Sequence, residues 1–185
     1  ASGGTGMGSF DLRARKVILC AGPWTDILGE RLDPHWRAWL KPSQGVHLVF
    51  DWKKIPLPGA MVMSHPTDGR ISFVIPRPDL GAGITLVGTT DHASNPDPEK
   101  IKPTHQEIDY LLGLLNSYFP SLKLKNSDVL STTVGVRPLM EPGAGNGGLQ
   151  KVSREHHIGE GPGASVVVAG GKYTTHRTMA EEIVD

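Results

Sequence analysis

The stretch SVVVAGGKYTTHRTMAEEIVD, residues 165–185, decides how the fold is interpreted. Residues 166–169 are wholly apolar, which is typical of a strand that is covered on both faces. Two glycines and a lysine follow, and the pattern after Thr174 predicts an amphipathic helix that continues to the last residue. A strand that passes through glycines into a helix N-terminus is the strand–turn–helix unit of an α/β layer.

A second stretch, KVILCAGPW at residues 16–24, has the same apolar character and breaks at Gly22-Pro23. We therefore expect these two strands to be buried neighbours in a parallel α/β layer. A helix is predicted over residues 25–32, and Pro34 prevents it from continuing further. Cys20 is the only cysteine, which excludes an intrachain disulfide, and its apolar surroundings predict a small core residue.

The middle of the chain has the pattern of an antiparallel sheet with one packed helix. Short β-branched runs are separated by Pro, Gly and Asp. Thr104 and Glu107 form a capping box at the start of a helix over residues 103–120. The predicted fold class is α+β, with a large, mostly antiparallel sheet and the closing strands and helix of an α/β layer. The predicted strands are GVHLVFDW (45–52), AMVMSH (60–65), ISFVIP (71–76), ITLVGTTD (84–91) and DVLSTTVGVRPLM (128–140), and His47 is expected to be a core histidine.

The composition excludes some classes of function. The 185 residues carry 19 basic and 19 acidic side chains, so the zero net charge gives no electrostatic support to nucleic-acid binding. No apolar run approaches the length of a membrane span. No metal site is predicted, since His156 and His157 are adjacent and would point to opposite faces of a strand.

The closing stretch is also a candidate anion site. A helix N-terminus attracts negative charge, and Gly170 and Gly171 would let a flat or phosphorylated ligand approach the backbone. Lys172 adds a full charge, and Thr174 or Thr175 can cap the helix. The alternative is a capped terminal helix with a solvated lysine.

Two arginines have two interpretations each. Arg137 in VRPLM follows an apolar strand, and Arg154 lies in SREHH. A guanidinium group suits phosphate or carboxylate, but it also forms structural salt bridges.

Taken in order, these stretches resemble the C-terminal half of the flavoprotein part of FAD-dependent glycerol-3-phosphate dehydrogenases, within the D-amino-acid-oxidase-like flavoenzymes. The resemblance spans nearly everything from Arg13 to Asp185. The matching stretches are RARKVILCAGPW, KPSQGVHLVF, DGRISFVIP, LVGTTD, QEIDYLLGLLNSYFP, VGVRPLM, SREHHI and AGGKYTTHRTMAEEIVD.

The resemblance implies an FAD enzyme that oxidises sn-glycerol 3-phosphate and passes electrons to a quinone. It implies that Arg137, Lys172 and Arg154 act at the substrate. FAD would be contacted by residues at the two glycine turns, namely Gly22, Pro23, Trp24, Gly170, Gly171, Lys172, Thr174 and Thr175. The implied division is a partial FAD domain at 1–34, a substrate-binding domain at 35–160, and a strand and helix returning to the FAD domain at 161–185.

The GxGxxG unit that holds the FAD diphosphate is absent from this sequence. We therefore expect the chain by itself to retain no FAD and to be inactive. Alternatives are a glycerol-3-phosphate oxidase or amino-acid oxidase of the same superfamily, or a non-catalytic binding or assembly module. The expected location is cytoplasmic, and the resemblance leaves room for peripheral membrane association and homo-oligomers of the full-length enzyme.

Overall fold

The structure is a computed structural model that describes residues 11–93, 97–141 and 155–185. Three α-helices lie in these ranges: α1 Thr25–Leu32, α2 His105–Tyr118 and α3 His176–Val184. The strands are β1 Ile18–Leu19, β2 Ser43–Asp51, β3 Met61–Ser64, β4 Ile71–Arg77, β5 Ile84–Gly88, β6 His92–Ala93, β7 Val129–Arg137, β8 His156–Gly161 and β9 Ser165–Gly170.

Strand β2 is the centre of the larger sheet. It pairs antiparallel with β7 along one edge and with β5 along the other, where β6 continues the pairing at Ser43 and Gln44. Beyond β5 the sheet extends through β4 to β3, again antiparallel. The predicted antiparallel sheet and the mixed α+β class are therefore confirmed.

One face of this sheet is covered by α2 and forms the main core. Alternate residues of β2 (Val46, Leu48 and Phe50) are fully buried there, as the two-residue period of a strand requires. They pack in one cluster with the apolar face of the helix, which contributes Leu111, Leu112, Leu114 and Leu115. The sequence predicted this helix correctly because its apolar residues recur with helical spacing.

The opposite face of the larger sheet, here called the open face, is uncovered by the described residues. Val62, Phe73 and Ile75 are 59%, 45% and 40% exposed there. His47 points to the same face and is exposed, so its assignment as a core histidine was wrong. The run GVHLVF is apolar on both sides of His47, but strand alternation directs position 47 away from the core.

The smaller sheet contains β1, β9 and β8 in that order. β1 and β9 are parallel neighbours, with Ile18 opposite Val166, which confirms the predicted pairing. β8 pairs antiparallel with β9, so residues 156–160 share a sheet with the closing strand.

The expected burial of the first apolar strand was wrong for this chain. Val17 and Ile18 are 52% and 46% exposed, and Cys20 is exposed rather than a core residue. β1 has β9 along one edge, and the described residues do not cover its outer surface. Separately, no helix in the described ranges has both the length and the apolar character needed to cross a bilayer.

The predicted capping box at the start of α2 is present. Thr104 accepts a hydrogen bond from the Glu107 backbone N–H at 3.2 Å, and the Glu107 carboxylate accepts one from the Thr104 N–H at 3.0 Å. The same carboxylate is buried and accepts further hydrogen bonds from Gln44 and Thr90. Glu107 therefore joins α2 to the larger sheet as well as capping the helix.

We expect Glu107→Gln to lower the free energy of unfolding by about 1.5–3 kcal/mol at neutral pH, because charge-assisted hydrogen bonds are lost. Burial by itself raises the pKa of this carboxyl, but hydrogen bonds from Gln44, Thr104 and Thr90 outweigh burial and hold the pKa below its ordinary value of 4.5. A depressed pKa in the folded state means that this stabilisation is present above pH 4.5 and is lost as the pH falls through the folded pKa.

Denaturant unfolding at neutral and acidic pH measures this effect. Asp79→Asn is the control, because Asp79 forms an exposed pair with Arg77 at 2.7 Å, and exposed pairs contribute little. If the Glu107→Gln variant lost stability with falling pH as steeply as the unmutated protein, Glu107 would not be the group that titrates.

Candidate functional site

Arg137 lies at the end of β7 and is held by the turn that follows β5. One guanidinium nitrogen donates to Thr89 Oγ1 at 3.0 Å and to the Thr90 carbonyl at 3.2 Å. The other lies 3.4 Å from Asp91 Oδ1. The side chain remains 29% exposed, so the guanidinium group is oriented by the turn without being sealed from a ligand.

The close approach of Arg137 to β2 depends on a glycine. Gly45 lies under the guanidinium group, and a Cβ atom added there would overlap both the Arg137 side chain and Thr89 Oγ1. The strand pairing explains this proximity, because Gly45 is opposite Gly135 and Ser43 is opposite Arg137.

Arg137 lines a cavity of about 460 Å³ together with Arg70, which the sequence analysis did not identify. Arg70 donates to the Asp91 carbonyl, and its Nε lies 3.6 Å from Asp68. Ile71 and Phe73 form an apolar part of the wall. Arg70 follows a turn in DGRISF, and the strand order β4–β5–β2–β7 brings it beside Arg137.

His47 is a titratable group near Arg137 on the open face. Its ring lies against Gly88, its neighbour across the β2–β5 pair, and a Cβ atom there would overlap the ring. The residue as a whole is exposed, but its ring is partly desolvated where it lies against the sheet. This desolvation and the positive charge of Arg137 lower the pKa of His47 below its ordinary value. At neutral pH the imidazole is therefore uncharged and can accept a proton.

The two glycine turns of the smaller sheet lie together. The carboxyl ends of parallel strands emerge at the same edge, which places the Gly22–Trp24 turn after β1 beside the end of β9. Gly22 and Gly170 line one cavity of about 310 Å³, whose wall includes Ala169 and Met179. Gly22–Trp24 forms one short turn of 3₁₀ helix that contains Pro23, and Trp24 is 44% exposed.

The turn after β9 has the conformation that its glycines permit. Gly170 and Gly171 have φ angles of 73° and 79°, in the left-handed region that favours glycine. Lys172 and Thr174 are exposed, and the Lys172 ammonium has no partner among the described residues. Thr175 is the N-cap of α3, but its hydroxyl donates to the Lys172 carbonyl at 3.0 Å and makes no capping hydrogen bond.

The structure does not place every predicted site residue in one cavity. Arg137 lines the cavity of the larger sheet, whereas Gly22 and Gly170 line that of the smaller sheet. The prediction for Arg154 lies outside the described residues. His156 contacts Glu182 and His157 contacts Trp39, so the two histidines point apart as expected.

The smaller sheet fits the edge of a flat cofactor such as the flavin of FAD. A Cβ atom added at Gly22 would meet no described residue within 4 Å, so this part of the structure leaves the backbone open to close approach there. The facing cavity wall is apolar, with Val168, Ala169 and Ile183. A ring system could therefore lie against this edge with Gly22 and Gly170 under it.

The fold combines a parallel strand pair that ends in glycine turns with an antiparallel sheet that bears an arginine-lined cavity, which suits an enzyme that binds a cofactor and an anionic substrate. The family model described as FAD dependent oxidoreductase matches residues 2–184. The chain belongs to this family, whose cofactor is FAD.

Several individual proteins of known name resemble this chain. An aerobic glycerol-3-phosphate dehydrogenase of Staphylococcus haemolyticus is 39% identical over 95% of this chain and 30% of the relative. The glycerol-3-phosphate dehydrogenase from Bacillus halodurans, solved with FAD, has a TM-score of 0.77 at 38% identity over 93% of this chain and 31% of that one. An L-alpha-glycerophosphate oxidase from Mycoplasma pneumoniae shares the fold, with a TM-score of 0.58 at 20% identity over 85% of this chain and 37% of that one. The chain thus spans about a third of the length of these proteins.

Proposed function

We propose that the full-length protein oxidises sn-glycerol 3-phosphate to dihydroxyacetone phosphate with FAD and passes the electrons to a quinone. The observation that supports this most is Arg137, oriented by a turn yet open to a cavity that a second arginine also lines. The similarity to aerobic glycerol-3-phosphate dehydrogenases adds the choice of substrate.

In this proposal Arg137 binds the phosphate group of the substrate. A guanidinium group matches phosphate oxygens with two parallel donors, and its own hydrogen bonds to Thr89 and Thr90 fix its plane. Arg70 adds a second positive charge to the same cavity, which suits a dianion.

Oxidation of the alcohol removes a hydride from C2 and a proton from the C2 hydroxyl group. FAD, when bound, supplies the hydride acceptor. His47 would accept the proton, since its lowered pKa keeps the imidazole neutral near pH 7. Lys172 would stabilise negative charge on the substrate oxygen, and Gly22, Pro23, Trp24 and the turn from Gly170 to Thr175 would line the cofactor.

A quinone acceptor dissolves in the membrane, so we also propose a cytoplasmic protein that contacts the membrane peripherally. In this proposal the larger sheet forms one wall of the substrate site, and the smaller sheet forms one edge of the cofactor domain.

Turnover by the full-length protein tests this function. We expect flavin absorbance and reduction of a soluble quinone that depends on glycerol 3-phosphate, with little oxygen consumption. Hydrogen peroxide formed in proportion to substrate would indicate an oxidase instead, and turnover of amino acids would indicate an amino-acid oxidase. Anion binding without any flavin spectrum would indicate a binding module and contradict the proposal.

A further inference from the structure

The turn at Thr89–Asp91 is the main support of Arg137. Three of its groups contact the guanidinium: Thr89 Oγ1 at 3.0 Å, the Thr90 carbonyl at 3.2 Å and Asp91 Oδ1 at 3.4 Å. The turn follows the last residue of β5, so it lies beyond the regular pairing of that strand with β2. The direction of the guanidinium plane therefore depends on what holds this turn.

Thr90 anchors the turn from the buried side of the sheet. Its side chain is fully buried, donates to Glu107 Oε1 at 3.0 Å and accepts from the Val46 N–H at 2.9 Å. Both hydrogen-bonding functions of the hydroxyl group are thus used. Through Thr90, one carbonyl that accepts from Arg137 is linked to the first turn of α2.

Glu107 is fixed more firmly than a helix cap requires. Its side chain is only 3% exposed, and it accepts from Gln44 Nε2 at 2.9 and 3.1 Å as well as from Thr104 and Thr90. A capping box needs only the contacts with Thr104. The additional hydrogen bonds point towards the turn and towards the β2 residues beside Arg137.

We propose that the buried Glu107–Thr90 pair positions Arg137 for anion binding. Without the Thr90 hydroxyl the turn loses its hydrogen bond to α2, and the Thr90 carbonyl that accepts from Arg137 is held less firmly, by the Thr90 N–H to Val46 and by Thr89 Oγ1. A guanidinium group binds two oxygens of an anion only when its plane is aligned. The inference rests on the proposed function only in taking Arg137 as a group that binds an anion.

The test compares Thr90→Val with Thr90→Ser and Thr85→Val in the full-length protein. Valine removes the hydroxyl at nearly constant shape, whereas serine keeps it. Thr85 is a matched control, because it is also fully buried and donates to a carbonyl, that of Ile55 at 3.2 Å, away from the turn. The readouts are the Kd of inorganic phosphate by calorimetry, KM and kcat for glycerol 3-phosphate, and Tm.

We expect Thr90→Val to weaken phosphate binding about fivefold, which corresponds to a typical coupling within a hydrogen-bond network. KM should rise more than kcat falls. Thr90→Ser should restore both values, and Thr85→Val should lower Tm without changing either. If the Thr90 hydroxyl only stabilised the fold, both valine variants would lose similar amounts of Tm and the phosphate Kd would not change. That result would overturn the inference.

If Thr90→Val does not fold, Thr90→Ala replaces it, because alanine also removes the hydroxyl that donates to Glu107, and an unchanged phosphate Kd in the folded variant would overturn the inference. If the unmutated protein binds phosphate but does not oxidise glycerol 3-phosphate, the proposed function fails while the comparison of Kd values still tests the positioning role. If the unmutated protein binds no phosphate, the positioning role fails with its premise.

Discussion

Arg137→Lys in the full-length protein is expected to raise KM for glycerol 3-phosphate about tenfold or more, since a charge-assisted contact contributes roughly 1.5–3 kcal/mol. Lysine keeps the positive charge but presents a single ammonium point. It can reproduce neither the planar contact with a phosphate nor the hydrogen bonds of Arg137 to Thr89 and Thr90. Because the phosphate lies away from the reacting carbon, KM should change more than kcat.

Steady-state kinetics with Arg77→Lys as the control measures this effect. Arg77 is also an arginine at the end of a strand of the larger sheet, but its guanidinium binds Asp79 at 2.7 Å and lies outside the cavity of Arg137. The control should keep an unchanged KM. If the folded Arg137→Lys variant had an unchanged KM, Arg137 would not bind the phosphate. Its role would then be the structural salt bridge to Asp91.

Alanine at Gly170 and Gly171 together should reduce the FAD content of the full-length protein strongly. Both glycines have positive φ, and an L-residue in that region costs about 1–2 kcal/mol each. A Cβ atom at Gly170 would lie 2.5 Å from the Glu155 carbonyl, and one at Gly171 would lie 2.6 Å from Met179 Sδ. The backbone turn must therefore move, and with it the edge that we propose contacts the flavin.

FAD per protein chain and the Tm of the apo form should be measured side by side. Gly113→Ala is the control, because Gly113 lies on the exposed side of α2 and an added Cβ atom there meets nothing within 4 Å in the described ranges. That variant should be as stable as the unmutated protein or slightly more stable. If the double variant bound as much FAD as the unmutated protein, the proposed cofactor role of the turn would be refuted. An unchanged Tm would show that alanine causes no strain at these two positions.

Local sequence patterns were enough to predict the helices and most strands of the fold, but not the short strand β6. Helix α2 was predicted from its capping box and its apolar spacing, because both signals lie within a few residues of one another. The parallel pairing of β1 with β9 was predicted because both strands are wholly apolar. The φ angles of Gly170 and Gly171 lie in the left-handed region, which gives a conformational reason for two glycines in this turn.

The exposure of single residues was predicted less well. His47 and Cys20 were assigned to the core, yet both are exposed. An apolar run shows that a strand is buried on some side, but it does not show which neighbours cover each residue. The roles of all the predicted substrate and cofactor residues stay predictions: Arg137, Arg154, Lys172, Gly22, Pro23, Trp24, Gly170, Gly171, Thr174 and Thr175.

The sequence by itself determined the family, through the order of its motifs along the chain. It also indicated most of the elements and the candidate arginine, because each of these signals depends on residues close together in the chain. Only the tertiary structure decided that Arg70, His47 and the turn at Thr89–Asp91 surround Arg137. The physical reason is strand register. The pairing of β2 with β5 and β7 brings together positions as far as 94 residues apart, Ser43 and Arg137 among them, and no local pattern encodes which residues will face one another across that sheet.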